Sequence, residues 1–158
     1  MRKPNIVLSL AAAAPAAAVL ISACAPPAAV AHSNLTVQCA ETLTAAQGGS
    51  NGGVTNGGVA ATGHCTLTGV LRDSGPVTDY RTQRGETALI RRVVTGAKGT
   101  ITFVVVLHLV FGGGERWTIT SGTGAYENLR GRGYQVVDNY AGSPATFVLK
   151  GTVSRARA

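Results

Sequence analysis

The stretch SGTGAYENLRGRG, Ser121 to Gly133, opens and closes on paired glycines. Those glycines either cradle a phosphate or let a sheet bend. A dinucleotide-binding turn needs G-x-G-x-x-G between a strand and a helix. Here Gly122 and Gly124 are followed by Glu127 at the third glycine position, and a carboxylate there repels phosphate. The flanks RWTITSG and GYQVVDNY are strand-like, so no helix N-terminus is available to point amides at an anion. The glycines are therefore read as bending devices that take positive φ at the end of one strand and the start of the next. Tyr126 and Leu129 are then placed to plug the end of a curved sheet.

Outward from this stretch the chain reads as strands and turns. GTITFVVVLHLVF (Gly99 to Phe111) places Ile101, Phe103, Val105, Leu107, Leu109 and Phe111 on one face, with Thr100, Thr102, Val104, Val106, His108 and Val110 opposite. That period of two marks a strand. NLTVQCAE aligns Leu35, Val37 and Cys39. CTLTGVL aligns Cys65, Leu67, Gly69 and Leu71. VTDYRTQ, TALIRRVVTG, GYQVVDNY and ATFVLKGTV complete the series. Turns are expected at Ser74–Pro76, Arg84–Glu86, Gly96–Gly99, Gly112–Glu115 and Ala141–Pro144. Residues 45–63 form a low-complexity Gly/Asn stretch, expected as a mobile loop. No useful helical periodicity follows residue 33. The expected class is all-β, an antiparallel barrel or sandwich. A barrel leaves no unpaired edge, and Gly69, Gly99, Gly131, Gly133 and Gly151 fall where its corners would lie.

The motif Trp117-x-Ile119-x-x-GTGAY-x-x-Leu129-x-Gly131-x-Gly133 resembles the signature of the allene oxide cyclase and dirigent barrel superfamily, especially its bacterial secreted members. KGTITFVVVLHL upstream and FVLKGTV downstream also fit, and the resemblance spans about Leu35 to Val153. It implies an eight-stranded antiparallel barrel, often trimeric in plant relatives, which guide cyclisation or radical coupling of hydrophobic small molecules. The polar catalytic residues of those enzymes do not map onto this chain residue by residue.

The 158 residues suffice for one domain with one core. Residues 1–23 read as a signal peptide: Arg2 and Lys3 precede a long uncharged run dominated by alanine. Ile21-Ser22-Ala23-Cys24 resembles a lipobox, which implies cleavage before Cys24 and its lipidation. Ala29-Val30-Ala31 offers a competing cleavage site, with a signal of 1–31 and a soluble secreted product. A Pro/Ala-rich tether covers 24–33 and the barrel 34–154. Cys39 and Cys65 remain as an even pair in an oxidising compartment, expected as a disulfide worth about 3 kcal/mol for its loop length. Two buried free thiols are the alternative. Their spacing with His64 does not make a tetrahedral metal site, so no metal and no cofactor are expected.

The net charge is +7, and the basic residues are scattered. No aromatic-interleaved basic stripe appears, which argues against specific nucleic-acid binding. Phe103, Trp117, Tyr134, Tyr140 and Phe147 are candidates to line the barrel interior, either around a cavity or as a filled core. His108 faces outward, or inward as an acid or base. Asp138 shares parity with Tyr134, Val136 and Tyr140, and an inward Asp138 could pair with Arg91. No Ser-His-Asp order, HExxH or CxxC motif occurs. The expected function is an exported barrel, lipid-anchored or secreted, binding a small hydrophobic molecule or an envelope partner. The alternatives are a cofactor-free cyclase or isomerase that shapes its substrate, and a structural module with a filled core. Val104, Val106 and Val110 on the second face of one strand favour self-association.

Overall fold

The computed structural model describes residues 32–44, 58–108, 114–139 and 143–156. Cys24, both cleavage sites, Leu109, Val110, Phe111 and Tyr140 lie outside them. Eight strands run β1 (Ser33–Leu43), β2 (Gly58–Gly69), β3 (Asp73–Arg84), β4 (Thr87–Gly96), β5 (Gly99–His108), β6 (Glu115–Gly122), β7 (Leu129–Asn139) and β8 (Ala145–Arg155). Each pairs antiparallel with its neighbour in sequence, and β1 pairs with β8, so the sheet closes into a barrel. The fold is all-β and eight-stranded, as the strand series and the motif imply.

Period two decides what each strand buries. β1 turns Leu35, Val37, Cys39 and Glu41 inward, and β5 turns Ile101, Phe103 and Val105 inward. Cys39 and Cys65 are direct register partners on β1 and β2 and form a disulfide. Phe103 and Trp117 meet edge to face, 5.6 Å between ring centres, in the middle of the core. One end of the barrel is solid with Leu35, Ile101, Ile119, Tyr126, Leu129 and Val153.

The GTGAY segment connects β6 to β7 and includes a single 3₁₀ turn, Gly124–Tyr126. Four amides in and just after it donate to main-chain oxygens. Thr123 N–H donates to Thr100 O (2.8 Å), Ala125 N–H to Lys98 O (2.8 Å), Tyr126 N–H to Thr123 O (3.0 Å) and Glu127 N–H to Gly124 O (3.2 Å). Gly124 has φ 58°, and a Cβ there would sit 2.5 Å from Lys98 O. The glycines bend the chain from one strand into the next. Tyr126 and Leu129 are buried where they close the barrel end.

Three sequence expectations are corrected. Ser74–Pro76 is no turn but part of β3; the chain reverses earlier, after Gly69 at φ 97°. Glu115 belongs to β6 rather than to a turn. Gly58–Gly63 belongs to β2, because Thr44 and β1 supply a partner ladder for it despite its glycines.

Candidate functional site

Near the other end of the barrel the interior is charged. Asp79 on β3 and Arg92 on β4 are direct register partners. Arg92 Nε donates to Asp79 Oδ1 (3.0 Å) and Nη2 to Asp79 Oδ2 (2.7 Å), a two-pronged pair. Arg92 Nη1 crosses the barrel to Gln135 Oε1 on β7 (2.9 Å). Gln135 Nε2 then donates to Glu115 on β6, its register partner. Arg92 Nη2 also lies 2.9 Å from Glu41 Oε1 on β1. The guanidinium sits over the Phe147 ring, 5.0 Å from its centre. One arginine thus ties together β1, β3, β4, β7 and β8.

The cluster is buried and unevenly satisfied. Arg92 and Glu41 are each 1% exposed and Asp79 4%. Neither Glu41 oxygen has a hydrogen bond of good geometry, although Arg92 Nη2 lies 2.9 Å from Oε1. Burial therefore pushes the Glu41 carboxyl up to about 8; Arg92 opposes this and Asp79 reinforces it. Burial alone would lower the Arg92 pKa, but Asp79 and Glu41 outweigh it and keep the guanidinium charged. Burial also raises Glu115, against the pull of Gln135 and Arg92. The arrangement offers a carboxylic acid that keeps its proton near neutral pH, beside a fixed cation.

One strand layer nearer the barrel end, Leu43, Ile90, Leu107 and Val137 are partly buried and form an apolar collar. Arg81 and Gln83 share that level, with Arg81 Nη2 donating to Gln83 Oε1 (2.6 Å). The interior is thus amphipathic: an apolar collar interrupted by Arg81 and Gln83, with the charged cluster beneath.

The sequence-derived candidates divide. Phe103, Trp117 and Phe147 are inside and buried. Tyr134 is not; it lies on the outer face, 52% exposed, because β7 turns Gly131, Gly133 and Gln135 inward. Asp138 is exposed for the same reason, beside a register shift between Val137 and Asn139. Arg91 is exposed and stacks on Tyr80, 4.1 Å from the ring centre, while its neighbour Arg92 takes the interior. Arg91 and Asp138 therefore form no interior pair. His108 ends β5 exposed on the outer face. Glu41, Asp79, Arg92, Glu115 and Gln135 escaped the sequence reading as interior groups. The available signal was strand parity: Glu41 follows Leu35, Val37 and Cys39 on one face. The disulfide sulfurs lie close to the Glu41 carboxylate, but sulfurs bonded to each other are not thiolate ligands.

No protein-family model matches the chain, and no curated protein matches it at a significant level. Among solved structures it is similar to two described as pterocarpan synthase dirigent proteins. PsPTS1 shares 14% identity over 83% of this chain and 98% of its own, with a TM-score of 0.49. GePTS1 shares 13% over 82% and 92%, with a TM-score of 0.47. The likeness is one of fold and carries no chemistry with it.

Proposed function

We propose that the barrel interior receives a small hydrophobic molecule with one polar end, its apolar body against the collar and its polar end against the Glu41–Arg92 cluster. The observation that carries this reading is the Glu41 carboxyl: buried, beside a fixed cation, and without a directed hydrogen bond. Buried polar groups normally find partners, and a ligand hydroxyl or carbonyl would supply one. Native mass spectrometry of protein purified from its own host is expected to show an adduct with the mass of a small organic molecule. Bare protein that also fails to take up anilinonaphthalene sulfonate would overturn the reading.

A second reading, a cofactor-free cyclase or isomerase, is favoured by the proton that Glu41 retains. A buried carboxylic acid that titrates near neutral pH beside a fixed cation is suited to proton transfer. Under it, Glu41→Gln keeps ligand binding and loses turnover. The same proposal makes the protein an exported one, held by lipid on Cys24 or released. The Cys39–Cys65 disulfide supports an oxidising compartment. Lipid anchoring requires that Cys24→Ala leave the membrane fraction.

A further inference from the structure

The outer face of β6, β7 and β8 carries four cations: Arg116, Arg130, Arg132 and Lys150, all exposed. None forms an ion pair among the described residues, where both salt bridges belong to Arg92. Three of the chain's seven carboxylates, Glu41, Asp79 and Glu115, face the interior and do not offset this surface. Glu127 in the preceding turn and Asp138 farther along β7 are the carboxylates flanking the face in sequence, and neither pairs with it.

Register sets the cations in rows. Arg116, Tyr134 and Lys150 are cross-strand neighbours; so are Thr118, Arg132 and Thr152; Arg130 lies beside Ser154. Two furrows run between these rows. One, about 540 Å³, is bounded by Arg116, Tyr134 and Arg132 and floored by Gly133 and Gly151. The other, about 290 Å³, is bounded by Arg132, Arg130, Ser154 and His32. They share Thr118, Arg132 and Thr152, the row that lies between them, so Arg132 borders both furrows.

We propose that this basic face, with its two furrows, binds a linear polyanion, a chain polymer bearing phosphate or sulfate groups. Guanidinium forks match the geometry of both groups. Alternate residues on a strand stand about 6.6 Å apart, so Arg130 and Arg132 present charge at an interval that a flexible polymer can follow. A polymer running along β7 would meet Arg130 and Arg132 in turn and cross both furrows, a relief that suits a chain better than a flat lipid surface. This site is separate from the barrel interior and does not depend on what the interior holds.

The test titrates the full chain with labelled inorganic polyphosphate and with dextran sulfate at several salt concentrations. Binding is expected to weaken with salt. The triple variant Arg116→Gln, Arg130→Gln, Arg132→Gln is expected to bind at least about tenfold more weakly, with a log–log salt slope smaller by about 2, since each phosphate contact contributes about 0.7–0.9. The control Arg72→Gln, Arg84→Gln, Arg91→Gln removes equal charge elsewhere and is expected to change affinity by less than about threefold. Should the triple variant misfold, Arg132→Gln alone, shared by both furrows, must still weaken binding. Equal losses in control and triple, affinity no better than for neutral dextran, or tighter binding to phosphatidylglycerol vesicles than to either polymer would each overturn the proposal.

Discussion

Glu41 shows what a single residue costs this barrel. In the unfolded chain its carboxyl releases its proton near pH 4.5; in the barrel it does so near 8. Between those values the folded state holds a proton that the unfolded state has lost, so stability falls as pH rises through the window. Below about pH 4.5 both states are protonated and the penalty vanishes. Glu41→Gln keeps the shape and removes the titration. Its stability relative to the native protein is therefore expected to rise between about pH 5 and about pH 9, by more than about 1 kcal/mol, less than the cost of one full pKa unit. Glu115, raised by the same kind of burial, leaves a residual slope in both proteins. Urea unfolding across that range reads the difference; parallel pH profiles would show that Glu41 is ionised in the fold. Asp73 titrates in the opposite sense. The Tyr126 hydroxyl (2.5 Å) and the Lys98, Ser74 and Ala97 amides hold its carboxyl down to about 2. The stability it contributes is present above pH 3.8 and is lost as pH falls through about 2.

At the scale of the strand, Gly133 and Gly151 face each other across β7 and β8. A Cβ on Gly133 would lie 2.7 Å from Trp117 Cζ2, and one on Gly151 2.5 Å from the same atom. Trp117 fills the space both glycines vacate, and its indole N–H is shared between Tyr134 O (3.1 Å) and Lys150 O (3.2 Å). Gly151→Ala must displace both the ring and the Arg132 carbonyl of β7, 2.2 Å from the new Cβ, and is expected to cost about 1–3 kcal/mol or more, the range for overpacking. Trp117 is the only tryptophan, so a red shift of its fluorescence should accompany the loss. A variant with native stability and an unshifted spectrum would show that the ring does not depend on these glycines. The same pair explains why β7 misled the sequence reading. After Leu129 its inward face carries two side-chain-less residues, Gly131 and Gly133, so Tyr134 and Val136 made the outer face look like the core face. On β4 both parities are partly apolar: Ala88, Ile90 and Val94 alternate with Leu89 and Val93, so adjacent arginines could not be told apart. β5 was legible because Ile101, Phe103 and Val105 are large and unbroken on the face that is buried. The polar cluster stayed hidden because each member belongs to a different strand, and only closure of the ring brings them together.

For the whole molecule, closure removes edges but leaves one short seam. β6 and β7 pair only from Glu115–Thr118 to Arg132–Gln135, whereas β7 and β8 stay paired along nearly their full length. Beyond Thr118 the ladder stops, and Tyr126 and Leu129, delivered by the GTGAY connection, pack into the core at that end. Side-chain packing thus replaces main-chain hydrogen bonds where the barrel is least laced. On β1 and β2 the Cys39–Cys65 disulfide adds a covalent tie that closes a loop of 26 residues in sequence separation. Local opening selects the least-bonded seam of a structure. In native-state hydrogen exchange, amides in β7 at Leu129–Gly131 are therefore expected to exchange faster than those of β1 and β2 around the disulfide. Tyr126→Ala, which empties the plug, should accelerate the former and leave the latter nearly unchanged. Uniform exchange around the ring, or fastest exchange at β1–β2, would mean that the barrel opens as a whole and that the GTGAY plug does not guard its seam.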